Sequence, residues 1–388
     1  MKNKRTMMLP GPTDVPRQAL LSSAQKMIGH RTKDCEELID EVTDGLKYVF
    51  QTEHDVLILT CSGTGGLEAS IANTLSQGDK VLALCTGAFG ERYATIAERY
   101  GVEVERINFE WGTPVDVSKV EEQLKETTQQ EFKAILMTHN ETSTGVINHP
   151  QSLGKLAQKY NLLLLVDAVS SLGGIELKVD EWRADVVVTS SQKALMSPPG
   201  LALVSVSPRA LEAAEDSDLP KFYWDFRRAK KFLVERPNQT PSTPAITNLK
   251  ALRYALREIK SEGLENVFKR HKIITMAFRR AMQELGLELL VEEKVASKTV
   301  TAVKLPSEIK FEILKQRLLE EYNVYITGSK GELKGKVFRV GHMGNVSRND
   351  ILSTISALEL VLKDEGLDIE LGSGIKIAQQ VFYEEESN

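Results

Sequence analysis

Two ionisable side chains of opposite kind, Asp167 and Lys193, stand close enough in the chain to act on one small molecule. Residues 162–166 (LLLLV) form a wholly apolar run, the pattern of a strand covered on both faces of a parallel sheet, and the run breaks off at Asp167. A carboxylate at the margin of such a core needs a cationic partner. Residues 185–190 (DVVVTS) read as a second, β-branched strand, followed at once by Ser191, Gln192 and Lys193 and then by Pro198, Pro199 and Gly200. Open α/β sheets bind ligands outside the carboxyl ends of their strands, where both side chains would lie. An amine and an acid there suit pyridoxal phosphate, the amine for its aldehyde and the acid to keep its pyridine nitrogen protonated so that the ring accepts electrons. The same pair is also compatible with a strand-end acid and a solvated lysine.

A third feature suits an anion. Residues 55–61 (DVLILTC) read as a strand, Ser62-Gly63-Thr64-Gly65-Gly66 as a turn, and the following LEASIANTL as a helix, so backbone N–H groups at the helix start would face a phosphate. A dinucleotide fold is the rival reading of such a loop. It fails on two counts: the sixth position of the G-x-G-x-x-G pattern is Glu68, and the next strand, 81–85, ends without a ribose-binding acid.

The elements that must position these groups alternate as α/β. Strands are expected at 55–61, 81–85, 103–107, 133–138, 162–166, 185–190 and 201–206, with helices at 17–27, 115–129 and 151–160. Beyond residue 258 the pattern changes to a helix reaching 285, strands at 298–304, 323–327 and 336–341, and helices at 311–321 and 349–363, a smaller α+β domain. The proline-rich residues 9–15 read as an extended arm. Residues 207–238 are charged and irregular, and the aromatic residues Phe222, Tyr223, Trp224 and Phe226 among their lysines and arginines read as a dimer surface or a wall of the site. The expected division is an arm at 1–16, a large domain at 17–257, a small domain at 258–365 and an acidic, partly ordered extension at 366–388.

At 388 residues the chain has room for about two domains with cores that need no staples. Its three cysteines, Cys35, Cys61 and Cys85, show no C-x-x-C spacing, which suits a reducing cytoplasm and points to no metal site. No stretch approaches the roughly 18 apolar residues of a membrane span. With 49 basic and 54 acidic side chains the net charge is −5, which offers nucleic acid no overall attraction. A small molecule is the expected partner.

Three ordered motifs, HNETSTGV (139–146), VDAVSSLGG (166–174) and SSQKALMSPPG (190–200), resemble those of the class V aminotransferases of fold type I, similar to the alanine–glyoxylate and serine–pyruvate aminotransferases. The resemblance runs from residue 9 to residue 341. It implies a mainly parallel, seven-stranded sheet with helices on both faces, and pyridoxal 5'-phosphate as cofactor. Lys193 would then condense with the aldehyde and move the substrate proton, and Asp167 would hold the pyridine nitrogen protonated. Ser62, Gly63, Thr64 and Gln192 would hold the phosphate, Phe89 would stack on the ring, Val169 would lie against it, and Thr142 would face the phenolic oxygen, a role a one-residue shift would pass to Ser143. Thr240 and Thr243 would reach the phosphate of a second subunit, giving a homodimer with shared sites. Gly11 would let substrate approach, and Arg339 would hold its carboxylate in a fork of two hydrogen bonds.

The activity implied is ping-pong transamination of alanine or serine with glyoxylate or pyruvate. Ureidoglycine–glyoxylate transamination is an alternative, and so is a non-catalytic role like that of relatives named as small subunits of a soluble hydrogenase. Cysteine desulfuration needs a cysteine on a late mobile loop, and none follows Cys85. His30 and His342 receive no role.

Overall fold

The seven apolar runs become the seven strands of one sheet in the computed structural model of the protein, which describes residues 5–126, 132–234, 236 and 238–386. They are β1 (Asp55–Leu59), β2 (Lys80–Cys85), β3 (Glu103–Asn108), β4 (Phe132–Thr138), β5 (Leu163–Asp167), β6 (Val186–Ser190) and β7 (Ala202–Val206). The spatial order is β1-β7-β6-β5-β4-β2-β3, and all strands run the same way except β7, which is antiparallel to both its neighbours. Alternation along each strand feeds two cores. In β5, Leu164 and Val166 join the core under helices Lys33–Phe50 and Ile246–Glu262, while Leu163 and Leu165 join the one under Gly63–Thr74 and Ala88–Arg99. Both faces are therefore covered, as continuous apolar strands require.

The central strands β4, β5 and β6 pair so that Thr138 faces Asp167 and Asp167 faces Val188. Their carboxyl ends lie side by side. The turn after β1 and the start of helix Ala88–Arg99 after β2 open on the same edge, so that edge collects the polar groups singled out above.

A smaller antiparallel sheet holds β8 (Val300–Lys304), β9 (Thr327–Gly328) and β10 (Val337–Gly341) in the order β8-β10-β9. Its core packs Phe338 and Val340 against Phe278, Leu314, Leu318, Ile355 and Leu358. Helix Leu264–Glu284 belongs to both domains: Leu264 and Val267 sit in the large-domain core, and Ile273 to Met282 in the small-domain core.

Several local expectations change. The strand expected at 323–327 divides, because Val324–Tyr325 pairs in parallel with Thr6–Met7 of the arm while Thr327–Gly328 turns into the small sheet. The arm is thus a structural part of the small domain, with Met8 fully buried in its core. Two helices stand within the stretch expected to be irregular: Ser207 accepts the Ala210 N–H at 3.1 Å and starts helix Pro208–Asp216, and helix Phe226–Val234 follows after the irregular residues 217–225. The helix expected at 115–129 is Val117–Glu126, and positions 127–129 lie outside the described residues.

The tail also differs from the expected partly ordered extension, because Ser373–Glu386 is a helix packed along Leu264–Glu284. Ala378, Val381 and Phe382 enter the small-domain core, and Glu359 accepts the N–H groups of Gly372 and Gly374, each at 2.8 Å. Its outer face is polar, with Lys376, Gln379, Gln380 and Glu384 exposed, which hid the apolar stripe in the composition. Among the described residues no helix is long and apolar enough to cross a membrane. Replacing Phe382 with Ala should therefore cost about 3 kcal/mol of stability, read as a lower urea midpoint. A change within about 0.5 kcal/mol, the range of surface substitutions, would show that the tail is not core.

Candidate active site

Lys193 and Asp167 line one cavity of about 400 Å³ at the carboxyl edge of the large sheet. Lys193 follows β6 in a tight turn: the Ser197 N–H donates to Ser191 O at 3.0 Å, Ser191 Oγ donates to Pro198 O at 2.7 Å, and Met196 takes a positive φ of 52°. The N-terminal arm crosses over this turn. The Thr13 N–H donates to Gln192 O at 3.1 Å, Thr13 Oγ1 donates to Lys193 O at 2.9 Å, and Lys193 Nζ donates to Pro10 O. At Gly11, with φ of +116°, a Cβ would stand 2.5 Å from Lys193 Nζ, so only glycine lets the arm pass.

Burial pulls the Lys193 amine down to about 8; the Asp167 carboxylate opposes the shift, and the charges of Arg92, Arg339 and Lys330 add to it. For Asp167 burial is again the first influence and raises the carboxyl. Arg92, whose Nη2 lies 3.6 Å from Oδ2, and the Val169 N–H, which donates to Oδ1 at 2.9 Å, pull the other way. The two groups hold one another in a shared low-dielectric site.

Ser62, Gly63 and Thr64 line the cavity at the start of helix Gly63–Thr74, where Ser62 is extended and its hydroxyl makes no bond back to the helix. A Cβ at Gly63 would meet Val169 Cγ2 at 2.7 Å, so the glycine seats this turn against the β5 loop. Among the described residues, Gln192 Oε1 and Ser190 Oγ are buried without a hydrogen-bond partner. Helix N–H groups, free hydroxyls, an orphaned amide, an acid and an amine around one cavity fit a phosphorylated pyridine aldehyde. Thr142 also lines the cavity and donates from Oγ1 to Ser170 Oγ at 2.7 Å. Ser143 is turned away, its hydroxyl donating to Glu141 and accepting the Ala88 N–H at 3.0 Å. Buried Glu141 also accepts the Phe89 and Gly90 N–H groups, each at 3.0 Å, which fixes Phe89 at the cavity wall.

Three sequence-predicted residues stand outside this cavity. Thr240 and Thr243 line a separate recess with Ile58 and Thr60, and Thr240 Oγ1 is spent on Ser242 O at 2.7 Å. Arg339 opens on the adjoining cavity beside Ser329 and Lys330. It donates from Nη1 to Thr142 O at 2.7 Å, and from Nε and Nη2 to Gly328 O at 3.0 and 2.6 Å. Of its five N–H donors these bonds use three, and one remains on each terminal nitrogen. Burial lowers its guanidinium to about 10, still cationic at neutral pH.

Arg92 and Ser170 belong to the cavity and escaped the sequence reading. Arg92 lies 4.6 Å from the Phe89 ring centroid, and its place three residues after Phe89 on one helix was the available signal. Ser170 accepts from Asn140 Nδ2 at 2.9 Å and donates to Asn140 O at 2.9 Å, contacts that no local pattern announces. His342 is buried with Nε2 2.8 Å from Thr301 Oγ1, a packing role. No group of three or more metal-binding side chains occurs among the described residues.

The family description "Aminotransferase class-V" matches residues 18–340. The chain belongs to this family. It is 42% identical over 384 residues to the "Soluble hydrogenase 42 kDa subunit" of Anabaena cylindrica, covering 98% of this chain and 100% of that one. It is 37% identical to the "L-aspartate--glyoxylate aminotransferase" of Paracoccus denitrificans, covering 98% and 96%. The crystal structure of ureidoglycine-glyoxylate aminotransferase from Bacillus subtilis superposes with a TM-score of 0.93 at 30% identity, covering 99% of both chains. This class-V chain is accordingly a pyridoxal 5'-phosphate-dependent aminotransferase with the fold-type-I architecture.

Because its amine sits near 8 instead of the ordinary 10.5, the neutral nucleophile accumulates above pH 8. Uptake of pyridoxal phosphate by the apoprotein, followed by absorbance, should accelerate with pH around a midpoint near 8. A midpoint near 10.5 would show an ordinary solvated lysine.

Proposed function

We propose that this aminotransferase transfers the amino group of a small amino acid, alanine or serine, to glyoxylate or pyruvate, one site serving both halves of a ping-pong cycle. The observation that carries the reading is a half-buried, easily deprotonated Lys193 facing Asp167 across one cavity. When bound, pyridoxal phosphate supplies an electron sink for the charge that develops at the substrate Cα. Lys193 would hold the cofactor's aldehyde in the resting enzyme, and its freed amine would carry the proton at the substrate Cα. Asp167 would keep the pyridine nitrogen protonated, and Arg92 beside it draws the carboxyl back toward its charged form. Ser62, Gly63, Thr64 and Gln192 would hold the phosphate, Phe89 and Val169 would flank the ring, and Thr142 would meet its phenolic oxygen.

Arg339 takes the substrate carboxylate on the two N–H groups left at its terminal nitrogens, and Gly11 leaves room beside the amine. Thr240 and Thr243, remote from this cavity in their own chain, serve the site of a second copy, so the working unit is a homodimer. Three cysteines without a disulfide suit the cytoplasm. Ureidoglycine is the second donor reading, supported by the B. subtilis structure, whose overall shape this chain shares. The Lys193, Asp167 and Arg339 set favours catalysis over a purely structural role, even though the Anabaena relative is named as a hydrogenase subunit.

Steady-state assays of alanine, serine and ureidoglycine with glyoxylate test the proposal directly. Lys193→Ala should lower kcat by at least about 10²-fold, the scale of losing a positioned proton carrier. Arg339→Lys should raise KM for the amino acid about tenfold, since an ammonium cannot reproduce the fork. Undiminished turnover in Lys193→Ala would refute the assignment.

A further inference from the structure

Beside the Lys193 cavity lies a second one of about 790 Å³, and Arg339 lines it. The two meet through the Arg339–Thr142 hydrogen bond and through Lys330, whose Nζ stands 5.2 Å from the centroid of the Phe89 ring. The wall of the second cavity is strongly cationic. It carries Lys310, Lys315, Lys330, Lys334 and Arg339 against the single acid Glu312, which lies 3.8 Å from Lys315. Lys310, Lys330 and Lys334 form no salt bridge among the described residues.

Lys330 is held in register with Arg339. Two residues before it, Gly328 O accepts two bonds from the Arg339 guanidinium; one residue before it, Ser329 Oγ donates to Ser143 O at 2.6 Å. On its other side Gly331 lies so tightly on Trp111 that a Cβ would come within 2.7 Å of the indole. A loop pinned on both sides presents one unpaired ammonium beyond the arginine that takes the first carboxylate. Alanine and serine have nothing to offer it.

Resting on the transamination reading, we propose that the site also accepts a short dicarboxylic amino acid as donor, Arg339 holding the α-carboxylate and Lys330 the second one. Lys330 is then the residue that selects for a second negative charge on the side chain. The surrounding lysines raise the local concentration of this net-anionic substrate and make its capture dependent on ionic strength.

The test uses the cofactor-loaded enzyme and its Lys330→Met variant, which keeps the apolar stem over Phe89 and removes the charge. With glyoxylate as acceptor, the ratio of kcat/KM for aspartate to that for alanine should fall in the variant at least about tenfold, the scale of one charge-assisted hydrogen bond. Binding without turnover gives an independent readout: succinate, titrated against the cofactor absorption band, should weaken by a similar factor while acetate does not. An unchanged ratio together with equal succinate binding would overturn the proposal. If neither alanine nor aspartate were transaminated, the activity reading would fall, and the succinate titration would still decide the role of Lys330.

Discussion

Everything in the site depends on an amine and a carboxylate being removed from water together at the edge of a parallel sheet. Neither tolerates burial alone: desolvation pushes the Lys193 amine toward its neutral form and the Asp167 carboxyl toward protonation. Each charge offsets part of the other's cost; on the acid's side Arg92 and the Val169 N–H offset more than the amine does, and the carboxyl still stands above its ordinary range. The balance leaves an amine that sheds its proton at about 8 beside an acid that Arg92 draws back toward its charged form.

That balance demands rigid placement, and the fold supplies it from distant parts of the chain. The sheet fixes Asp167 by pairing it with Thr138 and Val188 at the carboxyl end of its strand. The arm fixes Lys193 from above, and the arm is in turn fixed by its parallel pairing with Val324–Tyr325 and by the Gly341 N–H, which donates to Met8 O at 2.8 Å. Since Arg339 lies on the same strand as Gly341, the small domain positions both the lid over the amine and the guanidinium beside Thr142. A shift of that domain would therefore alter amine access and the placement of the Arg339 guanidinium together.

The large sheet was legible because its strands are continuous apolar runs, and their ends shifted by only a residue or two; β1, for example, stops at Leu59 because the chain turns toward Ser62. The acid, the lysine and the glycine turn were legible because strand ends and helix starts on one sheet edge have only one place to go. Two-residue strands such as Thr6–Met7 carry no periodicity, so the arm's pairing was invisible. The bonds of Arg339 to Thr142 and Gly328 join backbone carbonyls to a side chain far along the chain, which local pattern cannot report. The terminal helix was hidden by the polar residues that flank its apolar stripe, and the lysine-lined second cavity by the separation of Lys310 from Lys334 in sequence.

The central claim is that Lys193, and no other amine, captures the aldehyde. Loading the purified protein with pyridoxal phosphate, reducing it with borohydride and mapping the modified peptide by mass spectrometry tests this directly. A pyridoxyl group on Lys193 alone, at one per chain, is the expected result. A label spread over surface lysines, or none at position 193, would contradict it.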